Sequence, residues 1–127
     1  MSSDTTWYLY SGILSLGYTI YALANYYTLT GVQLIEPDDA KSKILNGEIK
    51  LVIDIRTKME WNLGNYPNAM HIPITELNEN SVPNEYKNVG ILVYCNTGQR
   101  ARVAAERLKS YGFNKVFYIA GTYKTIM

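Results

Sequence analysis

Residues 95–100 (CNTGQR) bring a nucleophile, a glycine and a permanent cation together in one short segment. Cys95 is the only cysteine of the 127 residues, so its thiol cannot form a disulfide within the chain. The thiolate is the nucleophilic form of cysteine, and surroundings that stabilise its negative charge increase the fraction of thiolate. Gly98 can adopt a positive φ, which lets successive N–H groups turn inward as an anion-binding nest, and Arg100 adds positive charge. The segment is therefore a candidate site for nucleophilic attack on a small anion.

Two regular elements flank this segment and position its thiol. Residues 91–94 (ILVY) are an apolar run typical of a buried strand, and residues 101–111 carry apolar side chains at helical spacing before Gly112. Cys95 is therefore predicted at the carboxyl end of a strand, in a turn that leads into a helix N-terminus. The N–H groups and dipole of that terminus favour the thiolate. The alternative is a buried, unreactive cysteine, which is common for a lone thiol at a strand end.

Three segments together resemble the rhodanese-like domain family. The first is the Cys-x-x-Gly-x-Arg loop between its strand and helix. The second is residues 51–61 (LVIDIRTKMEW), which resemble the family's Asp-x-Arg-x-x-x-Glu-aromatic segment. The third is residues 64–73 (GNYPNAMHIP), which resemble the family's Gly-His-Ile-Pro-Gly-Ala-x-x-Ile-Pro segment. Their order and spacing agree with the family over about residues 31–122.

The sequence departs from this family pattern at a few turn positions. Asn65 and Asn68 stand where the family usually has His and Gly. Ala120 replaces the first glycine of a Leu-x-Gly-Gly turn near the end of the chain. These changes affect packing turns and leave the thiol loop intact.

Residues 31–127 alternate short apolar runs with helical patterns, which predicts an α/β fold with a parallel, doubly covered sheet. The resemblance implies the rhodanese-like form of this fold, with five parallel strands and helices on both faces. Ligands bind such sheets at the carboxyl ends of the strands, where Cys95, Asp54 and Arg56 are predicted to lie. The resemblance makes Asp54 and Arg56 supporting residues that brace the loop from an adjacent strand end. Glu60 and Trp61 are expected to be structural.

The resemblance implies a sulfurtransferase of the thiosulfate type. The Cys95 thiolate would attack the sulfane sulfur of a small anionic donor, and the resulting persulfide would pass its sulfur to cyanide or a thiol. No cofactor or metal is implied, and one cysteine with one histidine cannot form a closed zinc site. The expected substrate-binding residues are the rest of the loop: Asn96, Thr97, Gly98, Gln99 and Arg100.

Two other functions remain open. Phosphatases and arsenate reductases of related fold use a longer Cys-x5-Arg loop, whereas four residues separate Cys95 from Arg100 here. That size suits a sulfur atom better than a phosphoryl group, so these activities are less favoured. A membrane-tethered sulfur carrier or docking module with little turnover is the alternative of a different class.

Residues 1–30 are predicted to form a hydrophobic segment separate from the rhodanese-like domain at residues 31–127. No charged residue occurs from residue 5 to residue 35. A helix over residues 7–27 would reach about 30 Å, the thickness of a hydrocarbon core. Aromatic residues at both ends predict a single transmembrane helix, and a neutral helix packed on a partner or lying in the interface is the alternative.

The distribution of charge bears on location and partners. Lysines follow the hydrophobic segment and none precedes it, which favours a catalytic domain that faces the cytoplasm. A free functional thiol also requires a reducing compartment. Twelve basic residues balance eleven acidic ones for a net charge of +1, without a basic run, so a nucleic-acid partner is not expected.

Overall fold

The apolar strand at residues 90–94 lies at the centre of a five-stranded sheet. The structure, a computed structural model, describes the backbone of residues 3–30 and 32–127 and the side chains of residues 6–22 and 32–127. All strand pairs are parallel, in the order β1-β5-β4-β2-β3, which confirms the predicted parallel sheet. The strands are β1 (Val32–Leu34), β2 (Ile49–Asp54), β3 (Met70–His71), β4 (Gly90–Tyr94) and β5 (Lys115–Tyr118).

Helices precede the sheet and connect its strands. Pro37 begins the second helix as its sequence predicts, with acidic residues in the first turn that complement the helix dipole. The helices are α1 (Ser3–Thr30), α2 (Pro37–Leu45), α3 (Lys58–Leu63) and α4 (Gln99–Ser110), and short 3₁₀ turns lie at Ile74–Glu76, Asn84–Tyr86 and Tyr123–Ile126.

Side chains of β4 alternate between two cores. All five residues of β4 are buried, as expected for a strand covered on both faces. Ile91, Val93 and, one residue past the strand, Cys95 pack in the core shared with α4. Leu92 and Tyr94 pack in the opposite core, with α2 and the C-terminal 3₁₀ turn. The alternation therefore directs the Cys95 side chain toward the α4 face.

Asn68 occupies a turn position with a positive φ, where the family usually has glycine. Asn68 has a φ of 65°, in the left-handed region that favours glycine. Asparagine tolerates this region better than most residues because its short polar side chain can hydrogen-bond locally. Asparagine can therefore adopt the backbone conformation that this turn has here.

The N-terminal helix α1 has the length to span a membrane but not the required apolar character. The chain divides into two compact units, residues 1–30 and residues 31–127, and α1 covers 28 residues of the first. Within the described part of the chain, no helix is both long and apolar enough to cross a membrane. Serine, threonine, tyrosine and glycine recur among the leucines and isoleucines of α1 and dilute its hydropathy. The prediction of a transmembrane helix at residues 7–27 is therefore not supported, and the side chains of its second aromatic cluster, at residues 26–27, lie outside the described residues.

Candidate active site

The thiol of Cys95 accepts two backbone hydrogen bonds from its own loop. Its Sγ lies 3.1 Å from the nitrogen of Gly98 and 3.4 Å from that of Ala101. Ala101 belongs to the first turn of α4, so its N–H is one of those without a partner inside the helix. Cys95 itself is fully buried. The loop therefore surrounds the sulfur with N–H donors, an arrangement that stabilises negative charge on it.

Gly98 is required at its position for two physical reasons. Its φ of 96° lies in the left-handed region. A Cβ at this residue would lie 2.9 Å from Cα of Ala120 and 3.1 Å from the carbonyl oxygen of Ile119. Any side chain would therefore push the loop away from the turn that follows β5.

Glu60 connects helix α3 to both sides of the thiol loop. Its carboxylate receives two hydrogen bonds from Arg100, from Nη1 to Oε1 at 2.8 Å and from Nη2 to Oε2 at 3.0 Å. The side-chain amide of Asn96 also donates to Oε2. Because Arg100 and Asn96 stand at opposite ends of the loop, one carboxylate holds the whole turn.

The same carboxylate also caps the helix on which it lies. Thr57 donates its backbone N–H and its hydroxyl to Oε1 of Glu60, at 3.1 and 3.0 Å, and the backbone N–H of Glu60 donates to the threonine hydroxyl in return. Glu60 is therefore both the capping-box residue of α3 and the partner of Arg100. The hydrogen bond from Arg100 lowers the pKa of Glu60 to about 2, with the bonds from Thr57 adding to the effect against the cost of burial.

The ion pair also determines what Arg100 is available to do. The hydrogen bond to Glu60 raises the pKa of Arg100, and the guanidinium uses both terminal nitrogens on that carboxylate. Its charge is therefore largely balanced within the protein, and its main structural effect is to hold the loop.

A second ion pair, Asp54–Arg56, lies beneath the loop. Arg56 Nη2 is 2.8 Å from Asp54 Oδ2, and both residues are buried. The hydroxyl of Tyr94 donates to the same Oδ2 at 2.6 Å and accepts from the backbone N–H of Tyr66 at 3.0 Å. Burial first, and then the bond to Asp54, raises the pKa of Tyr94 above its ordinary value. The pair therefore braces Tyr94, the residue before Cys95. Arg56 also lines the same cavity as the loop residue Asn96.

The side chain of Arg56 also holds the segment after α3. Its Nη2 donates to the carbonyl oxygen of Gly64 at 2.6 Å. Burial disfavours its charge, but the hydrogen bonds and negative charge of Asp54, together with Tyr94, outweigh that effect, and the pKa of Arg56 is raised. The ring of Tyr123 lies 5.2 Å from the guanidinium carbon. Arg56 thus links three segments around the carboxyl end of β2.

His71, the only histidine in the sequence, is bound to the scaffold. Its ring stacks on Trp61 with centroids 4.6 Å apart. Its Nε2 lies 2.8 Å from the carbonyl oxygen of Arg56, and this nitrogen must carry the proton because a carbonyl only accepts. Among the described residues no group of three or more His, Cys, Asp or Glu side chains is placed to hold a metal ion.

The remaining loop residues face two shallow cavities on opposite sides of the loop. Thr97 and Gln99 are exposed and line a groove of about 590 Å³ next to β1 and α4. Asn96 lines a smaller cavity of about 260 Å³ together with Glu60. The structure thus brings all six predicted loop residues together. Arg56 lines the cavity next to Asn96, whereas Asp54 is fully buried.

The contribution of Glu60 to the loop was not predicted from the sequence. The Thr-x-x-Glu spacing from Thr57 to Glu60 signals a capping box, which is a structural role. Its contacts with Arg100 and Asn96 join residues 36 to 40 positions apart. No local pattern in the sequence specifies such a contact.

A sequence model of the rhodanese-like domain matches residues 36–127. The chain belongs to this family. Among solved structures, the rhodanese-like domain protein of Staphylococcus aureus superposes with a TM-score of 0.62 and 27% identity, covering 75% of this chain and 91% of that one. A rhodanese-related protein of Thermoplasma volcanium superposes with a TM-score of 0.61 and 26% identity, covering 74% of this chain and 89% of that one.

Curated relatives of this rhodanese-like chain include larger proteins. The tRNA uridine(34) hydroxylase of Enterobacter sp. strain 638 is 35% identical over 74 residues, which are 54% of this chain and 21% of that protein. The enzyme of the same name from Escherichia fergusonii is 36% identical over 76 residues, 56% of this chain and 22% of that protein. The chain thus spans about a fifth of the length of these relatives.

Proposed function

We propose that this protein is a sulfurtransferase that carries a sulfane sulfur on Cys95. The observation that supports the proposal most directly is the position of the Cys95 Sγ. It accepts hydrogen bonds from the backbone N–H groups of Gly98 and Ala101 at the start of α4. Such a cradle stabilises a thiolate before attack and again when the persulfide is discharged. Membership of the rhodanese-like family also supports a sulfurtransferase.

The reaction proceeds in two half-reactions. The Cys95 thiolate attacks the outer sulfur of thiosulfate or a similar donor, an Sγ–S bond forms, and sulfite leaves with the electron pair of the broken S–S bond. A thiophilic acceptor, such as cyanide or a thiolate, then attacks the outer sulfur of the persulfide. The Sγ–S bond breaks and its electron pair returns to the Cys95 thiolate, so the enzyme is regenerated without a cofactor.

Some loop residues bind the donor and stabilise charge, and others hold the loop in position. The backbone N–H groups of Gly98 and Ala101 stabilise the charge that develops on sulfur. The exposed side chains of Thr97 and Gln99 contact the donor. Arg100 and Asn96 keep the loop in shape through Glu60. Asp54 and Arg56 support the strand ends from below.

Phosphate-ester or arsenate chemistry is disfavoured at this site. The loop has four residues between Cys95 and Arg100, and the guanidinium that a phosphoryl group would need is bound on both terminal nitrogens by Glu60. A tRNA substrate, suggested by the names of the curated relatives, is not part of this proposal, because the net charge of +1 provides no attraction to a polyanion.

A sulfur carrier with little turnover is the second candidate. Helix α1 exposes large apolar side chains, among them Leu9, Ile13 and Leu16, which a protein partner could cover. In that case the protein would accept sulfur on Cys95 and deliver it to the partner. It would load sulfur from a free donor but discharge it only slowly to cyanide or a free thiol, so its steady-state turnover would be low.

Steady-state kinetics separate the two candidates. The full chain is incubated with thiosulfate and cyanide at several concentrations of each, and thiocyanate is measured. A sulfurtransferase gives parallel double-reciprocal lines, and Cys95→Ser, checked for folding by circular dichroism, gives no product. A wild-type protein that loads sulfur once but does not turn over supports the carrier, and thiocyanate production by Cys95→Ser would contradict both.

A further inference from the structure

One side of helix α1 carries an exposed aliphatic stripe. Leucine and isoleucine recur along it at alternating intervals of four and three residues, at Leu9, Ile13, Leu16, Ile20 and Leu23. This is the spacing of the a and d positions in a heptad repeat, and we call these residues the α1 stripe. The first four, whose side chains the structure describes, are 59–63% exposed. The α1 stripe is therefore open to a partner.

The residue types in the α1 stripe favour a pair of parallel helices. Isoleucine occupies the a positions, Ile13 and Ile20, and leucine occupies the d positions, Leu9, Leu16 and Leu23. In parallel coiled coils, a β-branched residue at a with leucine at d favours two strands over three or four. Helix α1 covers 28 residues and is about 42 Å long, so helix continues on both sides of the stripe.

The residues beside the α1 stripe allow a second helix to approach closely. Gly12, Gly17 and Thr19 flank the stripe at e and g positions. A Cβ at either glycine would have no described atom within 4 Å. The hydroxyl of Thr19 donates to the carbonyl oxygen of Ser15 at 3.0 Å. Because this hydroxyl is satisfied within the helix, a partner can cover it without the loss of a hydrogen bond.

Helix α1 as a whole exposes more apolar surface than a single chain usually leaves in water. Ten large apolar side chains at residues 7–21 are 59–73% exposed, and five of them are aromatic. At about 150–250 Å² for a whole aromatic side chain, these five alone contribute roughly 500–850 Å². The largest apolar patch of a typical monomer is about 300–600 Å², and a standard interface takes about 800 Å² from each partner. Helix α1 therefore has the area of an interaction site.

The charge of α1 favours a second copy of the chain as the partner. No charged residue occurs from residue 5 to residue 35, so two identical helices can lie side by side without repulsion between like charges. Helices that bind anionic lipid surfaces carry lysine and arginine on their polar face, and this segment has neither. The α1 stripe is also self-complementary, because each a and d residue of a parallel pair faces the same residue of the other helix.

We infer that α1 pairs with α1 of a second copy of this chain, as a parallel two-stranded coiled coil formed through the α1 stripe. The protein is then a dimer with two thiol loops. Each loop is complete within one chain, since the hydrogen bonds that hold Cys95 and Arg100 come from the same chain. The pairing does not depend on the proposed sulfur transfer, and either can fail without the other.

The mass of the full chain in solution tests the pairing. Sedimentation equilibrium over a wide range of concentrations should give twice the 14.4 kDa of one chain. Leu16→Ser should raise the dissociation constant about a hundredfold or more, because it removes a buried leucine from each of the two chains. Leu14→Ser is the matched control, since Leu14 is exposed on the same helix but lies off the stripe. It changes helix propensity equally and should leave the dissociation constant nearly unchanged.

A disulfide tests the parallel arrangement. In a Cys95→Ser background, Leu9→Cys should form a covalent dimer under mild oxidation, because equivalent d residues face each other in a parallel pair. Leu14→Cys should stay largely unlinked. The inference is overturned by a monomeric wild type, by equal dissociation of Leu16→Ser and Leu14→Ser, or by an unlinked Leu9→Cys. A monomer that sediments with phosphatidylcholine vesicles would assign α1 to a lipid surface instead.

Discussion

The two ion pairs at the carboxyl end of the sheet, Asp54–Arg56 and Glu60–Arg100, have similar distances and different environments. Both close to 2.8 Å, but the side chains of the first are almost completely buried, whereas those of the second are 24–35% exposed. The buried pair joins β2, β4 and the segment after α3 into one scaffold. The exposed pair joins α3 to the thiol loop. The first pair therefore connects scaffold segments at the strand ends, and the second holds the thiol loop.

The largest effect is expected from breaking the buried pair. Asp54→Asn leaves the charge of Arg56 without a counterion and weakens the bond to Tyr94, so the free energy of unfolding should fall by about 3–5 kcal/mol. Glu48→Gln is the control, because it breaks the exposed pair with Lys43, which contributes at most about 1 kcal/mol. Urea unfolding of the full chain measures both. Equal losses would show that burial does not distinguish these pairs.

The next effect is expected at Gly98. Alanine here combines an unfavourable φ with a contact of 2.9 Å to Ala120, so we expect a loss of about 1–3 kcal/mol and slower persulfide formation. Gly47→Ala is a matched control, since its φ is also positive, at 83°, but nothing lies within 4 Å of its Cβ position. Gly47→Ala should therefore cost less stability and leave sulfur loading intact. Rapid loading by Gly98→Ala would contradict the role of the loop geometry.

A smaller loss of stability and a selective loss of function are expected at Glu60. Glu60→Gln retains a capping-box residue but removes the charge that binds Arg100, so stability should fall by about 1 kcal/mol while persulfide formation slows by about tenfold. Thr57→Ala provides the opposite case, because it removes the cap and retains the ion pair. Its loading rate should match the wild type. If both variants load equally fast, Glu60 does not position the loop.

The pH dependence of stability is expected to distinguish Glu60 from Tyr94. The pKa of Glu60 is lowered to about 2 in the folded state, against about 4.3 in an unfolded chain, so its contribution is present above pH 4.3 and is lost as the pH falls toward 2. The pKa of Tyr94 is raised, so its contribution is present below about pH 10 and is lost above it. The free energy of unfolding, measured as a function of pH, should change less at acidic pH in Glu60→Gln than in the wild type. In Tyr94→Phe it should change less at alkaline pH. If Glu60→Gln changed only the alkaline pH dependence, or Tyr94→Phe only the acidic one, the proposed contributions of these two residues would be contradicted.

The elements around the thiol could be predicted from the sequence because their signals are local. The apolar run of β4 and the helical spacing of α4 specified the strand, the turn and the helix that place Cys95. Gly98 was identified from the need for a positive φ, which the structure confirms at 96°. Even where Asn68 replaces the family's glycine, the turn keeps the positive φ that the pattern requires.

The contacts between distant segments could not be predicted in the same way. The sequence singled out Asp54 and Arg56 but not Glu60, because the bond from Arg100 to Glu60 spans 40 residues and depends on how α3 packs beside the loop. The expectation of a transmembrane helix at residues 7–27 relied on the absence of charge and on length. It gave too little weight to the serine, threonine and tyrosine side chains that lower the hydropathy of α1.

The central claim is that Cys95, held by its loop, carries the transferred sulfur. The most direct measurement is the intact mass of the full chain after incubation with thiosulfate, before and after addition of cyanide. The account predicts a gain of one sulfur atom that cyanide removes and that Cys95→Ser does not show. A folded wild-type protein that gains no sulfur, or a gain that persists in Cys95→Ser, would contradict it.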